Sequence, residues 1–309
     1  MATLIATSRG VSSAGLLIKT CYCNRDFTEA EFKDIITQLR KKQDPGKRFI
    51  RNPKTNYIIF PDINGKPIIS DERYPKNRDL KSEGIVENIS AFDKPAADGK
   101  PIADRLFYLS TPADLNINEG EANYNNFTEQ LNTMFKTYGI KTCLQKIHFF
   151  SQSYQETRSF GHTCEEFPKD SYGGGKYYRG RGLLQLTHDY NYKPYFEYWQ
   201  KIPEKIKLPT YTFPDFIPKL NPPKMMTDFS DFVKSISTDL FFACDSAGWY
   251  WKKNNINKYA DLDDIRKVSA KVNNPSASEN STGTINGLKE RTEIYNLLKP
   301  IFEYEKFHK

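Results

Sequence analysis

At 309 residues the chain exceeds the usual single domain, and 38% hydrophobic with 14% aromatic residues excludes a disordered chain. Its net charge of +7 and pI near 8.9 favour an anionic partner such as a bacterial wall, nucleic acid or membrane surface. The longest basic run is Arg40-Lys41-Lys42, too short for a dedicated nucleic-acid arm.

The first stretch, Met1 to Lys19, lacks a compact apolar run behind a basic start and is not expected to be a signal peptide. Nothing approaches the roughly 20 apolar residues of a membrane span, so no membrane insertion is expected. Cys21-Tyr22-Cys23 is isolated, and with Cys143, Cys164 and Cys244 it makes an odd total without a C-x-x-C pair. These cysteines are read as structural or incidental, with no metal and no cofactor.

A helix is expected over about 27–41, because Thr28 and Glu31 have capping-box spacing and Phe32, Ile35, Ile36 and Leu39 follow at helical intervals. It should stop before Asp44-Pro45-Gly46. Tyr57-Ile58-Ile59-Phe60 and Pro67-Ile68-Ile69 flank Asn64-Gly65, which predicts a β-hairpin over about 57–69. Residues 1–110 are taken as an accessory or delivery region and 111–309 as the main domain.

From Tyr124 the pattern is helical again: Phe127, Leu131, Met134, Phe135 and Tyr138 form one stripe ended by Gly139. Thr142 and Gln145 cap a second helix that runs to about Glu156. Residues 161–182 read as a glycine-rich loop, and Leu183-Leu184-Gln185-Leu186-Thr187 as a short strand. Six prolines make 202–223 an irregular excursion. Helices are expected at about 238–252, with a small-residue face of Ala243, Cys244 and Ala247, and at 261–272 and 286–299. The fold class is mainly α (α+β) with a small β element.

Glycosidic cleavage needs one carboxylic acid to protonate the leaving oxygen and usually a second carboxylate across the sugar. Glu156 lies near a helix C-terminus, where the macrodipole disfavours ionisation, and Gln152 sits one turn earlier on the same face. The bland alternative is a solvated helix-end carboxylate. Its neighbourhood argues otherwise: Gln185 and Thr187 could line a cleft, and Tyr190 and Asn191 offer a stacking ring and an amide to a sugar.

The run Tyr177-Tyr178-Arg179-Gly180-Arg181-Gly182-Leu183-Leu184-Gln185-Leu186-Thr187, followed by Tyr190-Asn191-Tyr192, resembles the signature of glycoside hydrolase family 19, the chitinases and phage-type endolysins of the lysozyme-like superfamily. Phe149 to Thr157 looks like the family segment that carries the catalytic glutamate. Ala247-Gly248-Trp249-Tyr250-Trp251, Val272-Asn273-Asn274 and Asn286 to Arg291 follow in the family's order.

The resemblance implies a lysozyme-like α-rich domain and an inverting mechanism, with carboxyls about 6.5–9.5 Å apart to admit water. Glu156 would be the acid and Glu165 the base, with Glu166 as its alternative. Gln152, Tyr178, Gln185, Thr187, Tyr190, Asn191 and Asn273 would hold substrate or water, and Arg291 would join the charge network at Glu156. The helix at 27–41 would be the family's first helix, displaced by an insertion. This chain departs from the pattern at Gln155, at Arg158-Ser159 where Gly-Gly is common, and at Asn274 where glycine is expected, which points to an altered subsite.

The expected function is a peptidoglycan hydrolase, muramidase or endolysin, with chitin as the alternative substrate. The expected route is synthesis in the cytoplasm and action on the wall after release or non-classical secretion, as a lysin or an antibacterial toxin. That reading leaves room for an immunity or inhibitor protein or secretion machinery as partner. A non-catalytic glycan-binding protein on the same fold is the second class. A nucleic-acid binder using Arg179-Gly180-Arg181-Gly182 is the third and weakest, because no basic stripe accompanies that segment.

Overall fold

A computed structural model describes residues 20–43, 47–52, 57–61, 67–68, 85–89, 104–109, 115–200, 227–274 and 285–308. The described chain is helix-rich. Helix α1 (Glu29–Gln43) starts at the expected capping box: the Thr28 hydroxyl accepts from the Glu31 N–H at 3.2 Å, and the Glu31 carboxylate accepts from the Thr28 N–H at 2.9 Å. Strands β1 (Lys47–Asn52), β2 (Tyr57–Pro61), β3 (Pro67–Ile68) and β4 (Ile85–Ile89) form an antiparallel sheet in the order β3-β2-β1-β4. Phe60 pairs with Ile68 across β2 and β3. The Asn64-Gly65 turn on which the hairpin expectation rests lies outside the described residues.

Helix α2 (Tyr124–Tyr138) is capped by Asn123, whose side chain accepts from the Asn126 N–H, and ends at Gly139 with φ 71°. Helix α3 (Cys143–Glu156) begins in a complete Thr142–Gln145 capping box. Beyond the glycine-rich loop come α4 (Asp189–Gln200), α5 (Thr227–Thr238), α6 (Leu240–Lys253), α7 (Asn257–Asp261), α8 (Ile265–Asn273), α9 (Leu288–Ile301) and α10 (Tyr304–Phe307).

Helix α3 runs through the centre, with every residue from Cys143 to Tyr154 buried except Leu144. A helix buried on all faces belongs inside a bundle. It packs on α9, while α1 packs on α2 and α9. Phe32 of α1 meets Phe127 in an edge contact at 5.2 Å and stacks on Phe150 at 5.7 Å. Such aromatic pairs add about 0.5–1.5 kcal/mol to the burial of each ring. Arg40, fully buried, donates to the carbonyls of Arg105 at 3.0 Å and Ser159 at 2.8 Å, tying α1 to the turn after α3. Helix α1 is therefore built into the helical core rather than into a separate element ending at residue 110.

The small-residue face of α6 lets it lie against α2. A Cβ on Gly248 would stand 2.2 Å from Cδ2 of Tyr138 and 2.6 Å from Cγ of Met134, so any larger residue would push the helices apart. Next to it, buried Asp245 accepts the phenols of Tyr138 at 2.8 Å and Tyr195 at 3.0 Å. Burial and the Asp245 charge push both phenols well up.

Several expectations change. The helix expected at 261–272 starts only at Ile265, because Asp263 turns at φ 56° and Asp264 caps α8 through the Lys267 N–H at 2.9 Å; the short α7, not expected, ends just before it at Asp261. Residues 183–187 are not a strand: a tight turn bridges Arg181 to Leu186 and leaves Gln185 at φ 51°. Helices α4 and α5 were not expected. In α4, Pro194 deprives the Tyr190 carbonyl of its donor, which an exposed residue tolerates because water can replace the bond. The region 202–223 lies outside the described residues.

Candidate active site

Glu156 is the last residue of α3, and Arg291 stands in the first turn of α9, held 3% exposed. Arg291 donates through Nη1 to Oε1 of Gln152 at 2.5 Å, and through Nη2 it makes a close ion pair with Glu156. Because Gln152 and Glu156 are one helical turn apart, a single guanidinium fork grips both. Gln152 is fully buried and also donates to the hydroxyls of Ser151 at 3.1 Å and Ser269 at 3.2 Å. Neither Gln152 nor Arg291 lines the cleft, so they position Glu156 and do not contact a ligand.

Glu165 lies on the loop after α3. Its Oε1 accepts from the Tyr172 hydroxyl at 2.6 Å and its Oε2 from the Gly180 N–H at 3.1 Å. Its own N–H donates to the Gly180 carbonyl at 2.8 Å, so backbone and side chain are both pinned to the Arg179-Gly180-Arg181 segment. A Cβ on Gly180 would stand 2.7 Å from Oε1 and 3.1 Å from Cβ of Gln185, so a larger residue there would displace the Gln185 side chain. Burial and the carboxylates of Glu165 and Glu156 push the Tyr172 phenol well up, which keeps it a donor. Glu166 instead faces Arg158 at 3.8 Å and does not line the cleft.

Glu156 and Glu165 open onto one cleft of about 790 Å³. Gln185, Thr187, Tyr190, Asn191 and Asn273 line it too. Internal bonds fix their side chains: Gln185 to the Gly182 carbonyl at 3.0 Å, Thr187 to the Gln185 carbonyl at 2.7 Å, and Asn191 to the Thr187 carbonyl at 2.9 Å. Tyr190 is 59% exposed and stacks on His188 with ring centroids 4.8 Å apart and planes 11° apart. Nδ1 of His188 accepts the Gly173 N–H at 2.8 Å, which sets the ring plane. An aromatic face on this rigid support suits a sugar ring.

Tyr178 is not a ligand contact. It is fully buried, its ring edge-on to Tyr192 at 5.2 Å. Arg181 of the Arg-Gly-Arg-Gly segment is buried as well, donating to the Tyr177 carbonyl at 2.9 Å and the Tyr192 hydroxyl at 3.0 Å, so it offers no charge to nucleic acid.

The departures from the family pattern have a backbone reading. Arg158, Ser159 and Phe160 take φ of 47°, 64° and 56°, a left-handed turn in which glycine would be less strained. The Arg40 bond to Ser159 and the buried Phe160 ring hold it. Arg158 lines the cleft where a glycine would leave it open. Asn274 has φ −150°, ordinary extended backbone that requires no glycine.

The sequence reading missed Tyr172, His162 and His188 in the cleft, and gave no contact role to Gly180, Tyr250, Asn274 and Asn286. Tyr250 stood in the Trp-Tyr-Trp segment without an assigned role. The others sit in loops with no periodic signal. Burial lowers His162 and His188 from the ordinary imidazole value.

No family model and no curated protein matches the chain. Among solved structures, it is similar to the family GH19, class IV chitinase from Zea mays at 16% identity and TM-score 0.39, covering 63% of this chain and 87% of that one. It is also similar to chitinase C from Streptomyces griseus at 12% identity and TM-score 0.38, covering 80% of this chain and 88% of that one.

Proposed function

We propose that the chain is a glycoside hydrolase that cleaves β-1,4 bonds of peptidoglycan with inversion. The observation that carries this reading is that Glu156 and Glu165, one at a helix end and one on a loop, line the same polar cleft beside an exposed aromatic platform. Glu156 gives its proton to the glycosidic oxygen as the C–O bond breaks. Glu165, oriented by Tyr172 and Gly180, takes a proton from the water that attacks the anomeric carbon from the opposite face. Exchange with solvent restores both. Gln152 and Arg291 are positioning residues for Glu156.

Peptidoglycan is favoured over chitin because Arg158 and Lys169 line the cleft and suit the carboxylates of lactyl and peptide groups that chitin lacks. The +7 charge favours it too. Action on the wall after release or non-classical secretion, as a lysin or antibacterial toxin, belongs to the same proposal. The test is digestion of purified peptidoglycan and, in parallel, chitin oligomers by wild type and Glu156→Gln, with the released ends read by mass spectrometry. Muropeptides from wild type alone support the proposal. Chitin products alone move the substrate, and binding without products from either polymer would make the chain a glycan-binding protein.

A further inference from the structure

We propose that Cys21, Cys23, Cys143 and His308 bind a structural zinc ion that staples the start of helix α3 to both ends of the described chain. In sequence these residues look unrelated, since Cys21 and Cys143 are separated by 122 positions and Cys21 and His308 by 287. The fold brings together the segment before α1, the first residue of α3 and the residue after α10. Sγ of Cys21 lies 3.5 Å from Sγ of Cys143 and 3.5 Å from Nε2 of His308. Sγ of Cys23 lies 2.9 Å from Sγ of Cys143 and 3.6 Å from Nε2 of His308. All four ligand atoms fall within 4.8 Å of one another.

Those spacings fit one ion. Tetrahedral zinc with Zn–S bonds of about 2.3 Å and a Zn–N bond of about 2.0 Å sets its ligand atoms roughly 3.5–3.8 Å apart. An ion would part Cys23 and Cys143 by about 0.9 Å and draw in the widest pair, within 4.8 Å, by about 1 Å. Three sulfurs and one imidazole nitrogen form a closed Cys3His set, the ligand type of structural zinc, with no position left for substrate.

Backbone donors point at two of the sulfurs: the Cys143 N–H donates to Sγ of Cys23 at 3.0 Å and the Cys23 N–H to Sγ of Cys21 at 3.4 Å. Three thiolates, a neutral imidazole and a divalent ion leave one negative charge. Two cations brace the loop beside it: Arg25 donates to the Cys21 carbonyl at 2.7 Å, and buried Lys146 to the carbonyls of Tyr22 at 2.6 Å and Arg25 at 2.7 Å. The Tyr304 ring stacks on His308 at 4.5 Å and orients the imidazole. Since α3 carries Cys143 at its first position and Glu156 at its last, the ion anchors the helix that presents Glu156 to the cleft.

The test is elemental analysis of the full chain purified without chelator, with cobalt substitution followed by visible absorption. The expected result is one zinc per chain, cobalt spectra with tetrahedral d–d bands and thiolate charge transfer, and a lower melting temperature after chelation. Cys143→Ser should lose the metal. His308→Ala, which changes an exposed residue and leaves the core intact, should bind it more weakly by at least tenfold. Metal-free wild type that gives no thiolate–cobalt spectrum overturns the proposal. So does full zinc occupancy in both variants, or a wild-type mass short by two hydrogens, the mark of a disulfide in this cluster. None of these readouts uses glycan cleavage.

Discussion

Replacing Arg291 with methionine removes one guanidinium and strands two partners. Gln152 is fully buried, so losing the 2.5 Å donor leaves its Oε1 unsatisfied at a cost of about 1–3 kcal/mol. Breaking a fully buried ion pair costs about 3–5 kcal/mol. Here the Glu156 side chain keeps 22% exposure and can rehydrate, which puts its loss at or below the lower end of that range. The two penalties share one side chain and overlap, so the expected total is about 3 kcal/mol. For a helical core of this size that lowers the melting temperature by roughly 6–12 °C. The assay is urea and thermal unfolding of wild type, Arg291→Met, Glu156→Gln and the double variant. In the Glu156→Gln background the Arg291 change should cost less by at least about 1 kcal/mol, because the charge it paired with is already gone. A loss below about 1 kcal/mol in the wild-type background, or identical losses in the two backgrounds, would refute the claim that this pair is desolvated and coupled.

Two further predictions concern the other carboxylate and the imidazoles. Tyr172→Phe keeps the ring but removes the hydroxyl that orients Glu165 at 2.6 Å; a bond to a charged acceptor is worth about 1.5–3 kcal/mol, so kcat on glycan should fall roughly 10- to 100-fold with little change in KM. Unchanged kcat would remove Tyr172 from the mechanism. Burial lowers His162 and His188, partly offset by the Cys164 carbonyl at His162 and by Asp189 and Glu165 at His188, so the folded chain binds fewer protons at these rings than the unfolded one. Their contribution is present above the unfolded value of about 6.5 and is lost as pH falls through the lowered folded values. The melting temperature should therefore drop between about pH 7.5 and pH 5, and His188→Gln should flatten that drop. Parallel slopes for wild type and variant would contradict the assignment at His188.

Much of the helical frame could be read before any coordinates because its signals are local. The Thr28–Glu31 and Thr142–Gln145 capping boxes and the Gly139 terminus each lie within one helical turn, and each appears where the spacing puts it. Reading failed where a local preference was overruled. Pro194 argues against a helix, yet α4 forms with Tyr192 and Tyr195 fully buried. The alternation at 183–187 suggests a strand, but Gly182 and Gln185 with positive φ close it into a turn. Tyr178, polar-tipped and inside the most recognisable motif, reads as a ligand contact; tertiary packing makes it core.

By itself the sequence determined the helix-rich class and offered Glu156 with the polar residues of 185–191 near it, because residue type and short spacing carry that information; Glu165 was implied only by the family resemblance. Only the tertiary structure decided which oxygen each carboxylate engages and which residues back it. The Arg291 grip on Gln152 and Glu156 spans 139 and 135 positions, and the meeting of Cys23 with Cys143 spans 120. Contacts of such separation leave no periodic trace in the chain, since they exist only once the helices have packed and excluded water from between them.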